Sequence, residues 1–128
     1  MCPERDLAVA FVAPDVGTDA MIAHLRYVSM SIPKGKIAVI VLDRASWHTT
    51  AKINIFPNIR LLRLPAASPE LNPVEQLWQQ LRDRSLANRT YKDYEDIQDA
   101  SCEAWNTFVG RDGAIASLCS REWANVKN

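Results

Sequence analysis

The feature that most constrains the fold is a short run of uncharged, mostly β-branched residues, Ile37 to Leu42, which ends abruptly at Asp43. Six apolar residues without alternation are typical of a strand that is covered on both faces, as in the centre of a parallel sheet. The run Ile59 to Leu64, closed by Pro65, predicts a further strand. An earlier apolar run, Leu7 to Val12, predicts a buried strand upstream of both.

Helical patterns alternate with these strands. Thr18 is expected to cap a helix that stops before Pro33 and carries apolar residues at three- and four-residue steps, namely Met21, Ile22, Leu25 and Val28. A second helix is predicted from Asn72 as N-cap, Pro73 as first helical residue and Glu75 at the capping-box position. Its expected buried stripe consists of Val74, Leu77, Trp78 and Leu81.

Two further helices are predicted towards the C-terminus. One starts near Thr90 and Asp93 and ends at Gly110, with a helical period carried by Tyr94, Ile97, Ser101, Ala104, Trp105 and Phe108. The other is a short helix within Ile115 to Val126 that packs Leu118 and Trp123. Strands that alternate with helices predict an α/β fold, a sheet with parallel central strands and helices on its faces.

Size and composition narrow the class of protein. A chain of 128 residues, 48% of them hydrophobic, suits one globular domain over residues 1–128. Its longest apolar runs are far short of the roughly 20 residues that cross a bilayer, which predicts no membrane partner. Cys2, Cys102 and Cys119 are odd in number without CxxC spacing, so we expect free thiols in a reducing cytoplasm. Because the formal net charge is zero, nucleic-acid binding would depend on local geometry.

Two acidic residues are the candidates for chemistry. Asp43 follows the central strand, and ligands of open α/β sheets bind beyond the carboxyl ends of strands. Asp43 could equally begin a turn or cap a helix through Arg44 to Lys52. Glu75 could be no more than part of a helix start. If the chain returns to the same sheet end, the two carboxylates converge on a site suited to magnesium or manganese, ions that prefer oxygen ligands.

The residues around this pair resemble a known family. Val41-Leu42-Asp43-Arg44-Ala45-Ser46-Trp47-His48 is similar to the strand and Asp-x-x-x-x-His segment of bacterial transposases of the insertion-sequence 630 family, relatives of the mariner elements. The stretch from Leu64 to Trp78 contains their distinctive Leu-Pro-x-x-Ser-Pro-Glu-Leu-Asn-Pro-x-Glu block. The resemblance runs from about Arg5 to Trp123. It implies an RNase H-like fold and a DDE site, in which three carboxylates hold two magnesium ions that cut and join DNA.

Asp43 and Glu75, 32 positions apart, match the second and third carboxylates of that family. The first one sits on the first strand of the family's fold, before a three-stranded meander, and this chain is expected to begin after it. Asp6 comes before its predicted strand instead of ending it. Only one helix separates Asp15 from the Asp43 strand, which leaves no room for the meander. Neither aspartate is therefore expected to replace the family's first carboxylate. Arg44 stands where many relatives have Asn, a change beside the metal that removes no ligand.

The resemblance therefore predicts a fold truncated at its N-terminus, which lacks strands 1 and 2. Three outcomes remain open: the segment Leu7 to Val12 pairs with the next strand, copies of the chain associate, or the chain folds poorly. With two carboxylates, magnesium binding is expected to be weak and the isolated chain inactive. The alternative is a non-catalytic transposase remnant that acts only as a protein-binding or DNA-binding module. Expected partners are transposon DNA, a second copy or full-length transposase, in the bacterial cytoplasm and on the nucleoid.

Other residues have both structural and functional interpretations. His48 could orient a phosphate or water near Asp43, or it could simply open a helix. Five arginines make the middle of the chain locally basic and are candidates for phosphate contacts, namely Arg60, Arg63, Arg82, Arg84 and Arg89. Three tryptophans on apolar stripes are expected in the core, namely Trp78, Trp105 and Trp123.

Overall fold

The computed structural model describes residues 1–66 and 68–122, without the side chains of Trp47, Thr49 and Pro69. The chain is a mixed α/β protein that divides into two compact units. The sheet unit is Val9–Asn72, and the helical unit is Met1–Ala8 together with the chain from Pro73 onward. Each unit has its own hydrophobic core.

The sheet unit contains two parallel strands, β1 (Ala38–Leu42) and β2 (Ile59–Arg63). Ala38 lies opposite Ile59 in the register, and Leu42 lies opposite Arg63. The Leu64 N–H donates to the Leu42 carbonyl at 2.9 Å, which extends the pairing by one residue. The two predicted strands and their parallel direction are therefore confirmed.

Helix α1 (Thr18–Ser31) precedes β1 in the chain. Its Leu25 is fully buried and forms a core with Ile53 and Ile59, which links the helix to the sheet. Gly17, rather than Thr18, is the N-cap: Thr18 already belongs to the helix, and the Met21 N–H bonds to the Gly17 carbonyl at 3.0 Å. The helix ends where predicted, because the residue before Pro33 is driven into an extended conformation.

The expectation that β1 is covered on both faces is wrong. Ile40 and Leu61 pack against the core on one face of the sheet, whereas Val39 is 64% exposed and Leu62 51% exposed on the other. Alternate residues of a strand point to opposite faces, and α1 packs only beneath the first set. An apolar run indicates a strand but does not reveal how many layers cover it.

The predicted strand Leu7 to Val12 is also wrong. Leu7 forms one antiparallel bridge with Cys2, and residues 8–13 adopt no regular structure. The N–H and the carbonyl of Leu7 both bond to Cys2, so Leu7 closes a tight loop and does not begin a strand at a sheet edge. Phe11 and Val12 are nearly half exposed. A strand requires a partner as well as apolar residues.

Short elements connect the longer ones. The single-turn helix α2 (Ser46–Thr49) follows β1 and is succeeded by a 3₁₀ turn at Ala51–Ile53. The helix considered for Arg44 to Lys52 is therefore broken into two turns. Two more 3₁₀ turns lie at Pro3–Arg5 and Pro69–Leu71.

The helical unit contains α3 (Pro73–Leu81), α4 (Tyr94–Val109) and α5 (Ala114–Cys119), with a π-helical segment, Arg82–Leu86, directly after α3. Pro73 opens α3, and Asp93 caps α4 by accepting the Asp96 N–H at 2.9 Å, both as predicted. The core consists of Leu77, Leu81, Ala104, Phe108, Ile115 and Cys119.

Several residues predicted to be buried in this unit are exposed. Trp78 is 50% exposed, and Tyr94 and Ile97 are 62% and 44% exposed. Helix α4 instead buries Ala100, Ala104 and Phe108, a four-residue spacing that keeps one narrow stripe inward. Trp105 is partly buried against the core, as expected. Helix α5 ends at Cys119, and Trp123 and Val126 lie outside the described residues.

Candidate functional site

Asp43 lies one residue after β1, at the carboxyl end of the parallel sheet. Its Oδ1 accepts the N–H of Ala45 at 3.0 Å, a local turn that aspartate favours. The same oxygen lies 2.6 Å from Nδ1 of His48. The side chain of Asp43 is 52% exposed, whereas that of His48 is 19% exposed. Asp43 therefore forms the turn that was considered for it and still lies where a ligand-binding residue was expected.

These bonds favour the charged form of the carboxyl group. The Ala45 N–H, more than the His48 side chain, holds the pKa of Asp43 below its ordinary value, although partial burial opposes the shift. Asp43 is therefore ionised at neutral pH. Its Oδ2 accepts no hydrogen bond from any described residue. An exposed, ionised carboxylate with one uncommitted oxygen fits the oxygen ligation that magnesium and manganese prefer.

Two arginines fasten the segment that carries Asp43 to the end of β2. Arg44 Nε donates to the Leu64 carbonyl at 3.0 Å, and Arg63 Nε donates to the His48 carbonyl at 3.2 Å. These bonds join residues 20 and 15 positions apart and limit the movement of the loop after β1. Sequence reasoning did not identify this role for either arginine, because single side chain-to-carbonyl bonds leave no pattern in the sequence.

Glu75 is exposed in the first turn of α3, the end of a helix at which the dipole favours negative charge. It belongs to the helical unit and Asp43 to the sheet unit. The predicted convergence of the two carboxylates stays a prediction, as does the cap at Asn72. Across residues 1–66 and 68–122, no three His, Cys, Asp or Glu side chains cluster closely enough to hold a metal ion.

Asp6 has a different role from that of Asp43. Its Oδ2 accepts the Gly113 N–H at 2.6 Å and its Oδ1 accepts the Ala116 N–H at 2.9 Å, so both oxygens bind the start of α5. These two bonds, that from Ala116 foremost, lower the pKa of Asp6. Asp6 itself has a left-handed backbone with a φ of 50°. Asp15 is exposed and accepts its neighbour's N–H through Oδ1, at 2.7 Å from Val16.

The remaining candidates are distributed over both units. The five arginines considered for phosphate contact are all exposed, namely Arg60, Arg63, Arg82, Arg84 and Arg89. Arg60 bonds to the carbonyls of Pro57 and Ile59, which restrains it along β2. All three cysteines are free thiols, of which Cys119 is buried. Within the part of the chain that the structure describes, no helix has the length and apolar character needed to span a bilayer.

Comparison with known proteins identifies the family. The chain is 45% identical over 125 residues to the uncharacterized protein y4pE/y4sA of Sinorhizobium fredii, an alignment that covers 98% of this chain and 93% of that protein. No solved structure matches the chain significantly. The sequence profile described as "DDE superfamily endonuclease" matches residues 1–98, a range that includes both Asp43 and Glu75. The chain belongs to the DDE superfamily endonucleases.

Proposed function

We propose that this chain is part of a DDE transposase catalytic domain of the insertion-sequence 630 type, in which Asp43 and Glu75 serve DNA strand cleavage and joining. One observation carries the proposal: Asp43 is an ionised carboxylate with a free oxygen at the carboxyl end of a parallel sheet. That position is where open α/β sheets bind their ligands. Family membership and the 32-residue spacing to Glu75 support the same assignment. The proposed frame is an RNase H-like sheet.

Magnesium or manganese would be held by Asp43 and Glu75. When bound, the metal supplies activation of the attacking oxygen and stabilisation of the leaving oxygen in phosphodiester chemistry. Magnesium is commonly held by one or two carboxylates together with substrate phosphates, so a DNA phosphate would complete the ligand set. The chain contributes an ionised Asp43, whose carboxylate is oriented by hydrogen bonds from Ala45 and His48.

Transposon DNA is the proposed substrate, in the bacterial cytoplasm. The exposed arginines on β2 and after α3 offer positive charge for the phosphates of the DNA backbone. Such contacts position DNA without reading its sequence. The acidic surface of α4 is a poor surface for DNA. It carries Glu95, Asp99 and Glu103, all exposed.

Residues 1–128 alone are proposed to bind metal weakly and to leave DNA uncut. A DDE site requires a third carboxylate, and neither upstream aspartate is suited to that role. Both oxygens of Asp6 are bonded to backbone N–H groups of α5. Asp15 lies in an exposed turn after a segment without regular structure, and so not at the carboxyl end of a strand. Release of Asp6 would leave the first amides of α5 without their partner.

The test uses supercoiled plasmid with manganese. The chain alone is expected to give no more nicking than an Asp43→Ala control. A chimera that adds the first strand and its aspartate from a related transposase is expected to nick, and Asp43→Ala or Glu75→Ala should abolish that nicking. Nicking by the chain alone that Asp43→Ala removes would contradict the proposed inactivity. A folded chimera that binds DNA without nicking it would favour the non-catalytic remnant.

A further inference from the structure

We propose that His48 is a positioning residue for Asp43: it fixes the carboxylate so that Oδ2 is the oxygen offered to the metal. This inference rests on the proposed function, since it specifies how one of the proposed ligands is held. Its basis is the convergence of two hydrogen bonds on a single oxygen of Asp43, together with the way His48 is itself held.

The two bonds occupy Oδ1 from different directions along the chain. The Ala45 N–H reaches it from two residues downstream at 3.0 Å, and the His48 ring reaches it from five residues downstream at 2.6 Å. A carboxylate can only accept hydrogen bonds, so Nδ1 of His48 must carry the proton that it donates. With Oδ1 doubly engaged, Oδ2 is the atom with capacity for another ligand. A partial rotation of the carboxyl group would break both bonds, and a half turn would only exchange its two equivalent oxygens.

His48 is held by two backbone bonds and is less exposed than Asp43. Its N–H bonds to the Ala45 carbonyl at 2.8 Å, and its own carbonyl accepts from Arg63 Nε at 3.2 Å. Its ring is mostly buried at 19% exposure, beside a carboxylate that is half exposed. The more buried ring is therefore suited to orient the more exposed carboxylate. The five-residue spacing from Asp43 places His48 in the one-turn helix α2, from which its ring reaches back to the end of β1.

Groups that hydrogen-bond to metal ligands orient those ligands, and their loss typically weakens metal binding by 10- to 100-fold. The expected effect of His48 belongs to this class. Asn is the conservative replacement, because its side-chain N–H₂ group can donate from about the place of Nδ1. Ala removes the donor altogether. His24, the other histidine, is 5.5 Å from the Phe11 ring and provides a matched control for the loss of one imidazole.

The experiment titrates manganese into the ¹⁵N-labelled chain and follows paramagnetic broadening of the Ala45 amide signal. We expect Asp43→Asn to abolish the selective broadening and His48→Ala to raise the manganese concentration at half-broadening about tenfold. His48→Asn should restore it to within about twofold of the parent chain, and His24→Asn should leave it unchanged. Far-ultraviolet circular dichroism checks that each variant is folded.

The outcomes separate the two claims. Broadening that survives Asp43→Asn would contradict the proposed metal site itself. Loss with Asp43→Asn but no change with His48→Ala would overturn only the positioning role, as would equal weakening by His48→Ala and His48→Asn in folded protein. If the variants fail to fold, the ring nitrogen signals of the parent chain at pH 8 decide the question. A proton on Nδ1 supports the inference, and a proton on Nε2 alone overturns it.

Discussion

Two aspartates in different units are held in ways that imply different roles. Asp6 in the helical unit has both carboxylate oxygens bonded to backbone N–H groups at the start of α5. Among the described residues, Asp43 in the sheet unit is bonded through Oδ1 alone, by Ala45 and His48. Both have a lowered pKa and both are ionised. The shift alone therefore does not distinguish a structural carboxylate from one with a free coordination position, whereas the count of bonded oxygens does.

The surroundings of the two residues strengthen the contrast. Asp6 links segments 107 positions apart in sequence, so its bond is a tertiary cap that organises the helical unit. The bonds of Asp43 are local, and the loop around it is fastened to β2 by Arg44 and Arg63. The sheet unit thus holds Asp43 in place while leaving one oxygen exposed to a ligand. Substitutions at the two aspartates should therefore affect different properties of the protein.

The largest effect is expected from removal of the packing beneath the sheet that carries Asp43. Leu25→Ala leaves a cavity at a fully buried site and should lower the free energy of unfolding by about 2–5 kcal/mol. Urea unfolding measures the loss, and amide exchange should show it first at β1 and β2. As a control, Tyr27→Ala on the exposed side of α1 should change stability by less than about 0.5 kcal/mol. Equal effects of the two changes would contradict the described core.

Metal affinity should distinguish the two aspartates directly. Asp43→Asn removes a ligand charge and is expected to weaken manganese binding by about tenfold or more, which is about 1.4 kcal/mol. Asp6→Asn should leave affinity within about twofold, because both Asp6 oxygens are used within the fold. Free manganese can be counted by electron paramagnetic resonance. Comparable losses in both variants would show that Asp6 also serves the metal.

The dependence of stability on pH should reveal the structural role of Asp6. Because the pKa of Asp6 is below its ordinary value of 3.8 in the folded chain, its contribution is complete above that value and is lost as the pH falls through the lowered pKa. Asp6→Asn should therefore flatten the decline in unfolding free energy below about pH 4. Urea titrations from pH 2 to 6, run beside Asp15→Asn, measure this. An unchanged slope would show that Asp6 does not cap α5 in solution.

The smallest effect concerns the attachment of the Asp43 loop. Arg63→Ala removes one hydrogen bond to the His48 carbonyl and should cost about 0.5–1 kcal/mol. Arg60→Ala, whose bonds are to Pro57 and Ile59 on its own side, is the matched control and should leave the Ala45 amide signal in place. Arg63→Ala should shift that signal. The reverse pattern would contradict the proposed attachment.

Sequence reasoning succeeded where a feature depends on neighbours along the chain. The strand before Asp43, the helix start at Pro73 and the cap at Asp93 all follow from local patterns. It failed where a feature depends on distant partners. Leu7 to Val12 has the composition of a strand but is engaged by Cys2 at its first residue, and the cap supplied by Asp6 has no local signature.

The site shows the same division. The position of Asp43 at a strand end could be anticipated from the sequence. The direct contact with His48 was not predicted, because His48 was expected either to orient a phosphate or water near Asp43 or to open a helix. Nor could the convergence of both bonds on one oxygen of Asp43 be predicted, since it depends on side-chain rotation. Trp78 was misjudged because a helical period predicts a stripe but not its width, and α3 buries Leu77 and Leu81 while leaving Trp78 half exposed.

The proposal that Asp43 and Glu75 hold one metal together can be tested by iron-directed cleavage of the polypeptide. Ferrous iron in the magnesium position, with ascorbate and peroxide, generates radicals that cut backbone close to the bound ion. We expect cuts near both position 43 and position 75 in the same chain, at the same iron concentration, and their joint loss in Asp43→Asn and in Glu75→Gln. Cuts near only one carboxylate, or cuts near position 75 that persist in Asp43→Asn, would contradict it.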